Sequence, residues 1–380
     1  MNYLVIGCGI TGAVIARELA ENDNTVVICE RRNHIAGNMY DYKDEHGILV
    51  QEYGPHIFHT SNSEVIDYVK KYEDWNDYKL VCGATWDGKF TNTPFNFSTI
   101  DAFFDREKAS EIKMHLKDAY PNDEMTTVVE LLNHDDFVIR EFAKFLFDND
   151  YAPYTAKQWG MNPADVDPSV LKRVPIRLSY EKGYFSDVFE AMPVHSFTRF
   201  IENILDHYNI QVKLNVDAKE HINIHTNKVL WDGNVFDGRV VYTGPLDELF
   251  DCCFGKLPYR SLSFEWKYLN CDSYQEAAVV AYPKEKGYTR ITEYKKLPQQ
   301  DVEGTVIAIE YPRLYKDNQN MEPYYPVSTT ESEKIYEKYV RLAKQIENLS
   351  FCGRLANFKY YNMDQAIYNA LLYSKELLKE

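Results

Sequence analysis

Three glycines near the start of the chain have the spacing of a turn that binds phosphate groups. Gly7, Gly9 and Gly12 form G-x-G-x-x-G between an apolar strand, "YLVIG", and a helix, "AVIAREL". This spacing allows a tight turn, a close approach of pyrophosphate and close packing of helix on strand. A second apolar strand ends at Glu30, where a carboxylate can accept hydrogen bonds from a ribose. The pattern predicts a dinucleotide site; the alternative is a strand–helix–strand unit whose glycines serve only packing.

The loop after the second strand indicates which dinucleotide binds. Residues 31–38 read "RRNHIAGN", a basic loop with glycine, where a simple NAD domain usually continues into another crossover helix. The loop resembles the second phosphate-side motif of FAD proteins of the glutathione-reductase kind, although Ala36 stands where many have glycine. We therefore expect FAD rather than NAD, with Arg31, Gly37 and Asn38 among its contacts.

A segment near the C-terminus predicts a second contact with the cofactor. "LSFCGRLANFKYYNMDQAIYNALL" contains a strand that ends at Gly353 and a helix that begins around Met363. Asn362 and Gln365 have the spacing of a capping box, with Asn in place of the usual Ser or Thr. The N-terminus of this helix would lie under the flavin ring, where its dipole favours negative charge. The alternative is an ordinary amphipathic terminal helix.

An aromatic segment, "YAPYTAKQWGMNP", is suited to a nucleobase. The rings of Tyr151, Tyr154 and Trp159 lie in a stretch that reads as rich in turns, and they could stack on a base. Thr155 and Gln158 could bind the edges of that base. The alternative is a hydrophobic anchor between helices.

Arginines beside tyrosines could bind a diphosphate. Arg173 and Arg177 lie in "LKRVPIRLSYEKGYFSD", where Pro and Gly suit a mobile lid and a guanidinium can hold two phosphate oxygens. The alternative is a solvated basic loop. Arg290 lies in "GYTRITEYK", and "PYYPV" and "KYY" supply Tyr325 and Tyr360. These residues could hold an anion that the net charge of the chain repels.

Two histidines in "YGPHIFHT" have the spacing H-x-x-H. This spacing could bind a metal, but the stretch lacks the intervening Glu and the neighbouring acids of a zinc protease helix. We expect no metal here and a histidine beside the flavin, with His56 and His59 both near the cofactor.

The composition limits the class of protein and its partners. The 380 residues are 45% hydrophobic and 26% charged, which is ordinary for a globular protein of two or three domains. The net charge of −16 argues against nucleic acid and anionic membrane as partners. No apolar run approaches the ~18 residues that span a bilayer. An early first strand and seven cysteines without a C-x-x-C pair predict a reduced, cytoplasmic protein without a signal peptide.

The remaining pattern predicts an α/β fold with two insertions. A helix is expected over 65–72, and a hairpin turns at Asp87-Gly88. Apolar positions repeat at helical spacing over 100–172, and short strands dominate from 211 to 310. The strand in "FDGRVVYTG" would return to the first sheet beside the cofactor.

We therefore predict a Rossmann-like FAD-binding domain of the glutathione-reductase kind, with an inserted helical domain and an inserted antiparallel sheet domain. The FAD-binding domain would comprise residues 1–76, 196–245 and 326–380. The helical domain would comprise residues 100–172, with a mobile substrate loop near 165–180. The sheet domain would comprise residues 77–99, 173–195 and 246–325.

Seven motifs resemble those of bacterial UDP-galactopyranose mutases: "GCGITGAV", "YGPHIFHT", "YTAKQWGM", "LKRVP", "YTRITEYK", "YYPV" and "GRLANFKYYNMD". The resemblance implies an isomerase that interconverts UDP-galactopyranose and UDP-galactofuranose without net redox chemistry. It implies FAD that is active only when reduced, with flavin N5 as the nucleophile at the anomeric carbon. It also implies an external reductant, such as NAD(P)H or a reductase, and a homodimer.

The motifs and the resemblance together give the candidate site residues. The catalytic candidates are Arg173, Arg290, His59 and Glu310, with both arginines stabilising the diphosphate as leaving group. The substrate-binding candidates are Tyr151, Tyr154, Thr155, Trp159, Arg173, Tyr184, Arg260, Arg290, Tyr325 and Tyr360. The cofactor-binding candidates are Gly7, Gly9, Thr11, Gly12, Glu30, Arg31, Gly37, Asn38, His56, His59, Gly353, Arg354, Tyr361, Asn362 and Met363.

Two departures from the family pattern leave the sugar open. Asn362 stands where many relatives carry Asp, and Leu80 stands where a polar residue would face flavin or sugar. UDP-N-acetylgalactosamine or another UDP-hexose is therefore an alternative substrate. A true flavin oxidoreductase and a nucleotide-sugar binding protein without catalysis are the alternatives of other classes.

Overall fold

The structure is a computed structural model that describes residues 1–160, 162, 164, 166, 171, 174–225, 227–316 and 321–379. Its helices are α1 (Ile10–Ala20), α2 (Ser63–Val69), α3 (Phe97–Phe103), α4 (Arg106–Ala119), α5 (Val128–Leu132), α6 (Phe137–Leu146), α7 (Ala152–Trp159), α8 (Phe197–Leu205), α9 (Leu246–Leu249), α10 (Thr330–Ala343) and α11 (Met363–Leu377). A π-helical turn, Phe147–Tyr151, joins α6 to α7.

The strands of the first half are β1 (Asn2–Ile6), β2 (Thr25–Glu30), β3 (Asp41–Lys43), β4 (Leu49–Gln51), β5 (Phe58–Thr60), β6 (Trp75–Asp77), β7 (Cys82–Trp86), β8 (Lys89–Thr93), β9 (Met125–Thr127), β10 (Pro175–Arg177) and β11 (Phe189–Pro193). Those of the second half are β12 (Ile210–Leu214), β13 (Ile222–His225), β14 (Lys228–Trp231), β15 (Asn234–Val235), β16 (Arg239–Tyr242), β17 (Tyr259–Leu269), β18 (Val279–Ala281), β19 (Arg290–Glu293), β20 (Thr305–Leu314), β21 (Tyr325–Pro326) and β22 (Leu349–Phe351).

A parallel sheet in the order β12-β2-β1-β16-β22 forms the base of the nucleotide site. Alternate residues of its strands face opposite sides, so Val5 packs in one core with α1, α8 and α11, while Leu4 packs in another with α10. The strand predicted in "FDGRVVYTG" is β16, which pairs with β1 as expected. This is the predicted Rossmann-like α/β arrangement.

A second, seven-stranded sheet has the order β21-β17-β20-β19-β18-β7-β8. The β7–β8 hairpin turns at Asp87 and Gly88, as predicted, and both residues have positive φ, of 51° and 73°. The strand pairs of this sheet are antiparallel, as predicted, except that β18 pairs with β7 in parallel. Three further strands form a separate small sheet, β5-β11-β6, whose middle strand pairs with both neighbours in antiparallel register.

The helical region is interrupted where the apolar spacing suggested continuity. The pattern over residues 100–120 divides into α3 and α4 because Asp105 caps a new helix, accepting a hydrogen bond from Lys108 N at 2.9 Å. The helix expected over 65–72 is α2, which begins earlier because Asn62 accepts from Glu64 N at 3.0 Å. None of the helices in the described ranges combines the length and apolar character needed to cross a membrane.

Helix α8 is capped by a carboxylate from a distant strand. Asp41 is buried, and its two oxygens accept hydrogen bonds from Phe197 N and Thr198 N, each at 2.8 Å. The helix presents fully buried Phe200 and Ile204 to the core below the parallel sheet. The cap therefore fixes where α8 begins and how its apolar face meets the core.

We expect Asp41→Ala to lower the free energy of unfolding by about 2 kcal/mol, because two buried N–H groups would lose their acceptor. Denaturant unfolding measures the change. Asp67→Ala, at an exposed position of α2, is the matched control and should change stability by less than about 0.5 kcal/mol. Equal stability of the Asp41 variant and the control would contradict the capping role.

Candidate active site

The first cavity, of about 230 Å³, lies where β1, β2 and β16 end. A Cβ on Gly12 would lie 2.0 Å from Gly7 O, so this glycine is required for close packing of α1 on β1. A Cβ on Gly9 would meet only Gly37 Cα, at 3.9 Å, and would otherwise occupy open space in the cavity. Gly9 thus leaves a cradle of the kind that a pyrophosphate at a helix N-terminus fills.

Glu30 is buried at the edge of this cavity and is held by the backbone. Its Oε2 accepts a hydrogen bond from Cys8 N at 2.8 Å, and its Oε1 accepts from Arg32 N at 3.0 Å. Each carboxylate oxygen can accept more than one hydrogen bond, so capacity remains for a ribose diol. The sequence prediction and this geometry agree on where the diol would lie.

The two arginines of the basic loop pair with one acid from a distant part of the chain. Glu322 forms ion pairs with Arg31 and with Arg32, the latter at 2.7 Å. Ala36 adopts a φ of +70°, in the left-handed region that explains why glycine is common at this point. Glu322 offsets one of the two positive charges, so this group of three side chains keeps one positive charge beside the cavity.

Most predicted cofactor contacts lie around the first cavity. All of them except His59, Tyr361 and Asn362 line it. His59 and Asn362 instead line a second cavity, and Tyr361 lines neither. Tyr361 contributes its carbonyl oxygen, which accepts from Arg354 Nε at 3.1 Å and so orients that guanidinium.

The second cavity, of about 550 Å³, adjoins the first and shares His56, Arg354 and Met363 with it. Every predicted substrate-binding residue whose side chain the structure describes lines this cavity, except Arg260. Arg260 lies on β17 opposite Tyr325 of β21, one strand away from the cavity wall. The two cavities are thus neighbours, with the predicted dinucleotide contacts around the first and a larger chamber beside it.

Arg290 is the central cation of the second cavity. Its Nε and Nη2 each lie 2.7 Å from Glu310 Oε2, and β19 and β20 place the two residues directly opposite each other. Burial alone would lower the pKa of Arg290, but the attraction of buried Glu310 outweighs it and the pKa is raised. Glu310 does not line the cavity and acts by positioning Arg290.

Tyrosines and a second arginine surround the same space. Tyr325 and Tyr360 stack with ring centroids 5.2 Å apart, and the Arg354 guanidinium lies 5.2 Å from the first ring and 5.4 Å from the second. Burial raises the pKa of Tyr184 and of Tyr325, so their hydroxyls stay protonated and can donate to an anion.

The two histidines have different environments. His56 Nδ1 lies 2.8 Å from Gly54 O, and burial lowers the pKa of His56 to about 4. The ring is therefore neutral at pH 7, with the proton assigned to Nδ1 and an acceptor left at Nε2. His59 Nδ1 lies 2.8 Å from Asp187 Oδ2, and its ring stacks on Phe185. Their different hydrogen-bond partners give no support to a shared metal.

Helix α11 begins at the junction of the cavities, as the sequence predicts. Asn362 N donates to Gln365 Oε1 at 3.0 Å, which is one half of the expected capping box. Met363, the first helical residue, lines both cavities. The helix N-terminus thus lies where the dinucleotide end meets the second chamber.

Some predicted residues lie elsewhere or cannot be located. Arg173 lies outside the described residues, and so does the side chain of Trp159. The expectation that Arg177 belongs to a lid was wrong. It ends β10, is buried, and its Nη2 donates to Gly183 O and Phe185 O, each at 2.9 Å. Pairing with β9 turns this part of the expected loop into a strand.

The aromatic segment is helical over Ala152–Trp159 rather than rich in turns, and two residues that the sequence reasoning missed lie in it or directly before it. Asp150, in the π-helical turn, lines the second cavity. Lys157 Nζ donates to Glu285 O and Tyr288 O, at 2.9 and 2.8 Å, and so ties α7 to the chain just before Arg290. Asp150 and Lys157 lie seven positions apart, two helical turns, a spacing that could have identified one polar face.

Comparisons with known proteins agree with this geometry. A family model described as UDP-galactopyranose mutase matches residues 149–360, and one described as NAD(P)-binding Rossmann-like domain matches residues 5–72. The chain is 35% identical to the UDP-galactopyranose mutase of Mycoplasma pneumoniae, over 100% of this chain and 96% of that protein. It is 36% identical to the dTDP-fucopyranose mutase of Escherichia coli, over 97% of this chain and 96% of that protein.

The fold also matches solved structures. A crystal structure of reduced UDP-galactopyranose mutase superposes with a TM-score of 0.68 at 15% identity, covering 100% of this chain and 94% of that one. At this identity the match is evidence for the fold alone.

Two glycine variants separate cofactor binding from folding. We expect the free energy of unfolding of the Gly9→Ala apoprotein to lie within about 1 kcal/mol of the wild-type value, because the new Cβ meets no close atom. The same variant should bind flavin weakly, because its Cβ occupies the cradle. Gly12→Ala should lose more than about 2 kcal/mol, because its Cβ would overlap Gly7 O. Denaturant unfolding of the apoproteins and flavin absorbance after reconstitution measure both effects. Tight flavin binding by the Gly9 variant would contradict the proposed cradle.

Proposed function

The chain belongs to the UDP-galactopyranose mutase family, and from this premise we propose that it interconverts UDP-galactopyranose and UDP-galactofuranose with reduced FAD. Membership makes the protein an isomerase, and its Rossmann-like domain fits a flavin cofactor. The observation that most supports the substrate is the ion pair of half-buried Arg290 with buried Glu310, which places a guanidinium beside tyrosines in the second cavity.

The residues of the first cavity would hold the dinucleotide, and those at the junction would meet its reactive ring. When bound and reduced, the flavin supplies N5 as a nucleophile toward the anomeric carbon. The N-terminus of α11, at Met363, offers a positive dipole end at this junction. Neutral His56 offers an acceptor there. The helix N-terminus and the neutral imidazole would thus contact the bound flavin without adding a full charge.

The protein stabilises the departing diphosphate in the second cavity. Arg290 can donate hydrogen bonds to phosphate oxygens with the guanidinium N–H groups that Glu310 leaves free. The hydroxyls of Tyr184 and Tyr325 can add hydrogen bonds without adding charge. Arg173 would add a further cation, on the evidence of the sequence resemblance alone. The anomeric centre would then lie between these donors and the junction.

Part of the wall of this chamber is apolar. Leu80 is buried in the wall, and its carbonyl oxygen accepts from Tyr184 N at 2.8 Å, which fixes that tyrosine's backbone. Phe95 and Val279 are also buried and line the cavity. These apolar side chains would limit the access of water to a reactive glycosyl species once the substrate fills the chamber.

A second candidate substrate is dTDP-fucopyranose or another nucleotide-linked 6-deoxyhexose. The Escherichia coli relative named dTDP-fucopyranose mutase is as similar to this chain as the Mycoplasma enzyme. Leu80 supports this candidate, because a buried leucine suits the methyl group of a 6-deoxy sugar better than a hydroxymethyl group. The proposed domain boundaries, cytoplasmic location, homodimer and external reductant stay predictions.

The reaction can be tested by separating products after anaerobic incubation of dithionite-reduced protein with UDP-galactofuranose or dTDP-fucofuranose. We expect conversion to the pyranose form only with reduced protein, because the oxidised flavin lacks the nucleophile. The faster substrate identifies the sugar and nucleotide. An oxidised sugar or peroxide as product would contradict the isomerase and favour a flavin oxidoreductase.

The Arg290–Glu310 pair can be tested by single substitutions. Arg290→Ala should lower kcat about 10²- to 10³-fold, because the leaving group loses its central donor. Glu310→Gln should lower kcat about tenfold, since the guanidinium stays in place but is oriented by a weaker partner. Arg173→Ala should also nearly abolish turnover.

Retained flavin absorbance shows that each variant is folded. Arg313→Ala, at an exposed position of the same strand as Glu310, is the matched control and should turn over at the wild-type rate. Wild-type kcat in Arg290→Ala would refute the assigned role.

A further inference from the structure

Asp150 is a buried carboxyl without a partner in the wall of the second cavity. The residue is 7% exposed, and its Oδ1 is buried with no hydrogen-bond partner among the described residues. It lines the cavity together with Tyr151, Tyr154 and Thr155 of the aromatic segment. Buried polar atoms in folded proteins almost always have a partner, so the missing one points to a ligand.

The backbone around Asp150 supports the same conclusion. Residues Phe147–Tyr151 form a π-helical turn, a rare insertion that occurs often at functional sites. Neighbouring Asp148 faces solvent and pairs with Lys144 at 2.6 Å, as surface acids commonly do. The turn therefore carries one acid on the surface and one in the cavity.

The surroundings of Asp150 favour its neutral form. Burial raises the pKa of Asp150 to about 7, although Lys157 opposes this shift. The Lys157 ammonium is already bound to three backbone carbonyls, so it does not form an ion pair with Asp150. The titratable groups near Asp150 or lining the same cavity are, among the described residues, Tyr151, Tyr154, Lys157, Cys82, Tyr184, Arg290, His56, His59, Tyr325, Arg354 and Tyr360. An anionic diphosphate in this cavity would raise the pKa further.

A neutral carboxyl matches one edge of a pyrimidine. Its O–H donates and its carbonyl oxygen accepts, which is the pattern needed by an imide, where N3–H stands beside a carbonyl oxygen. An ionised carboxylate would accept from N3–H but repel that carbonyl oxygen. Uracil and thymine present this same edge, so the match holds for either nucleotide candidate.

We propose that Asp150 is a specificity-determining residue that binds the N3–H and adjacent carbonyl oxygen of the pyrimidine as a neutral carboxylic acid. This proposal rests on the proposed function, because it assigns the nucleoside of the substrate to the wall made by the aromatic segment. Binding then takes up a proton, since part of the free protein is ionised at pH 7 and the complex is not. The affinity for the nucleotide is highest below the pKa of Asp150 in the free protein, and it falls as the pH rises through that pKa.

The first test is isothermal titration of oxidised holoenzyme with UDP-galactose, whose diphosphate does not titrate near pH 7. The affinity of the wild type should fall by up to about tenfold per pH unit above pH 7, with uptake of up to about half a proton at pH 7 measured in buffers of different ionisation enthalpy. Asp150→Asn keeps a donor and an acceptor, so it should bind tightly with neither effect. Identical pH dependence in the wild type and Asp150→Asn would overturn the proposal.

The second test identifies the group that Asp150 contacts. Asp150→Ala should weaken UDP and 2′-deoxy-UDP binding by about ten- to a hundredfold, but should change the already weaker binding of N3-methyl-UDP little. If Asp150→Ala weakened the binding of UDP but not that of 2′-deoxy-UDP, Asp150 would contact the ribose, and the proposed contact with the base would be overturned. Asp148→Ala is the control and should bind all three nucleotides as the wild type does.

Two further outcomes separate this proposal from the function on which it rests. Failure of wild-type protein to bind any of these nucleotides would refute the proposed function itself. Tight UDP binding by both the wild type and Asp150→Ala would refute only the role of Asp150. Asp150→Ala should retain flavin and wild-type thermal stability, because the carboxyl makes no hydrogen bond that folding requires.

Discussion

The antiparallel register of β19 and β20 places Arg290 directly opposite Glu310, and the substrate chamber depends on this pairing. A slip of one residue would turn the guanidinium to the other face of the sheet. Glu310 is buried and the Arg290 side chain is 27% exposed, so loss of Arg290 would leave a buried carboxylate without its partner. The sheet therefore delivers one oriented cation to a cavity in a protein of net charge −16.

The parallel sheet, α11 and α7 place the proposed cofactor and substrate sites around this cation. The parallel sheet ends at the first cavity, and α11 begins where that cavity opens into the second. Lys157 ties α7 to the backbone that leads into β19, so the aromatic wall and Arg290 are linked directly. The site is thus built from three parts of the chain that local sequence does not connect.

Local spacing made the nucleotide end predictable, and long-range pairing made the rest difficult. The conformation of the turn at Gly7, Gly9 and Gly12 follows from the spacing of these residues in the sequence. The hairpin between β7 and β8 is likewise determined by the residues at its turn. Arg177 was misread because pairing of β10 with β9, which the sequence does not reveal, buries it. Asp150 was missed because the aromatic segment was interpreted by its rings alone, although polar residues recur on one helical face.

The proposed chamber would bind an anion with a few cations and several neutral donors. Glu310 offsets the charge of Arg290, whereas Glu322 pairs with both arginines of the basic loop and offsets one of their two charges. Catalysis needs interactions that strengthen as charge develops on the leaving group. Tyrosine hydroxyls held protonated by burial meet this need, because their hydrogen bonds strengthen as negative charge grows on the departing oxygen.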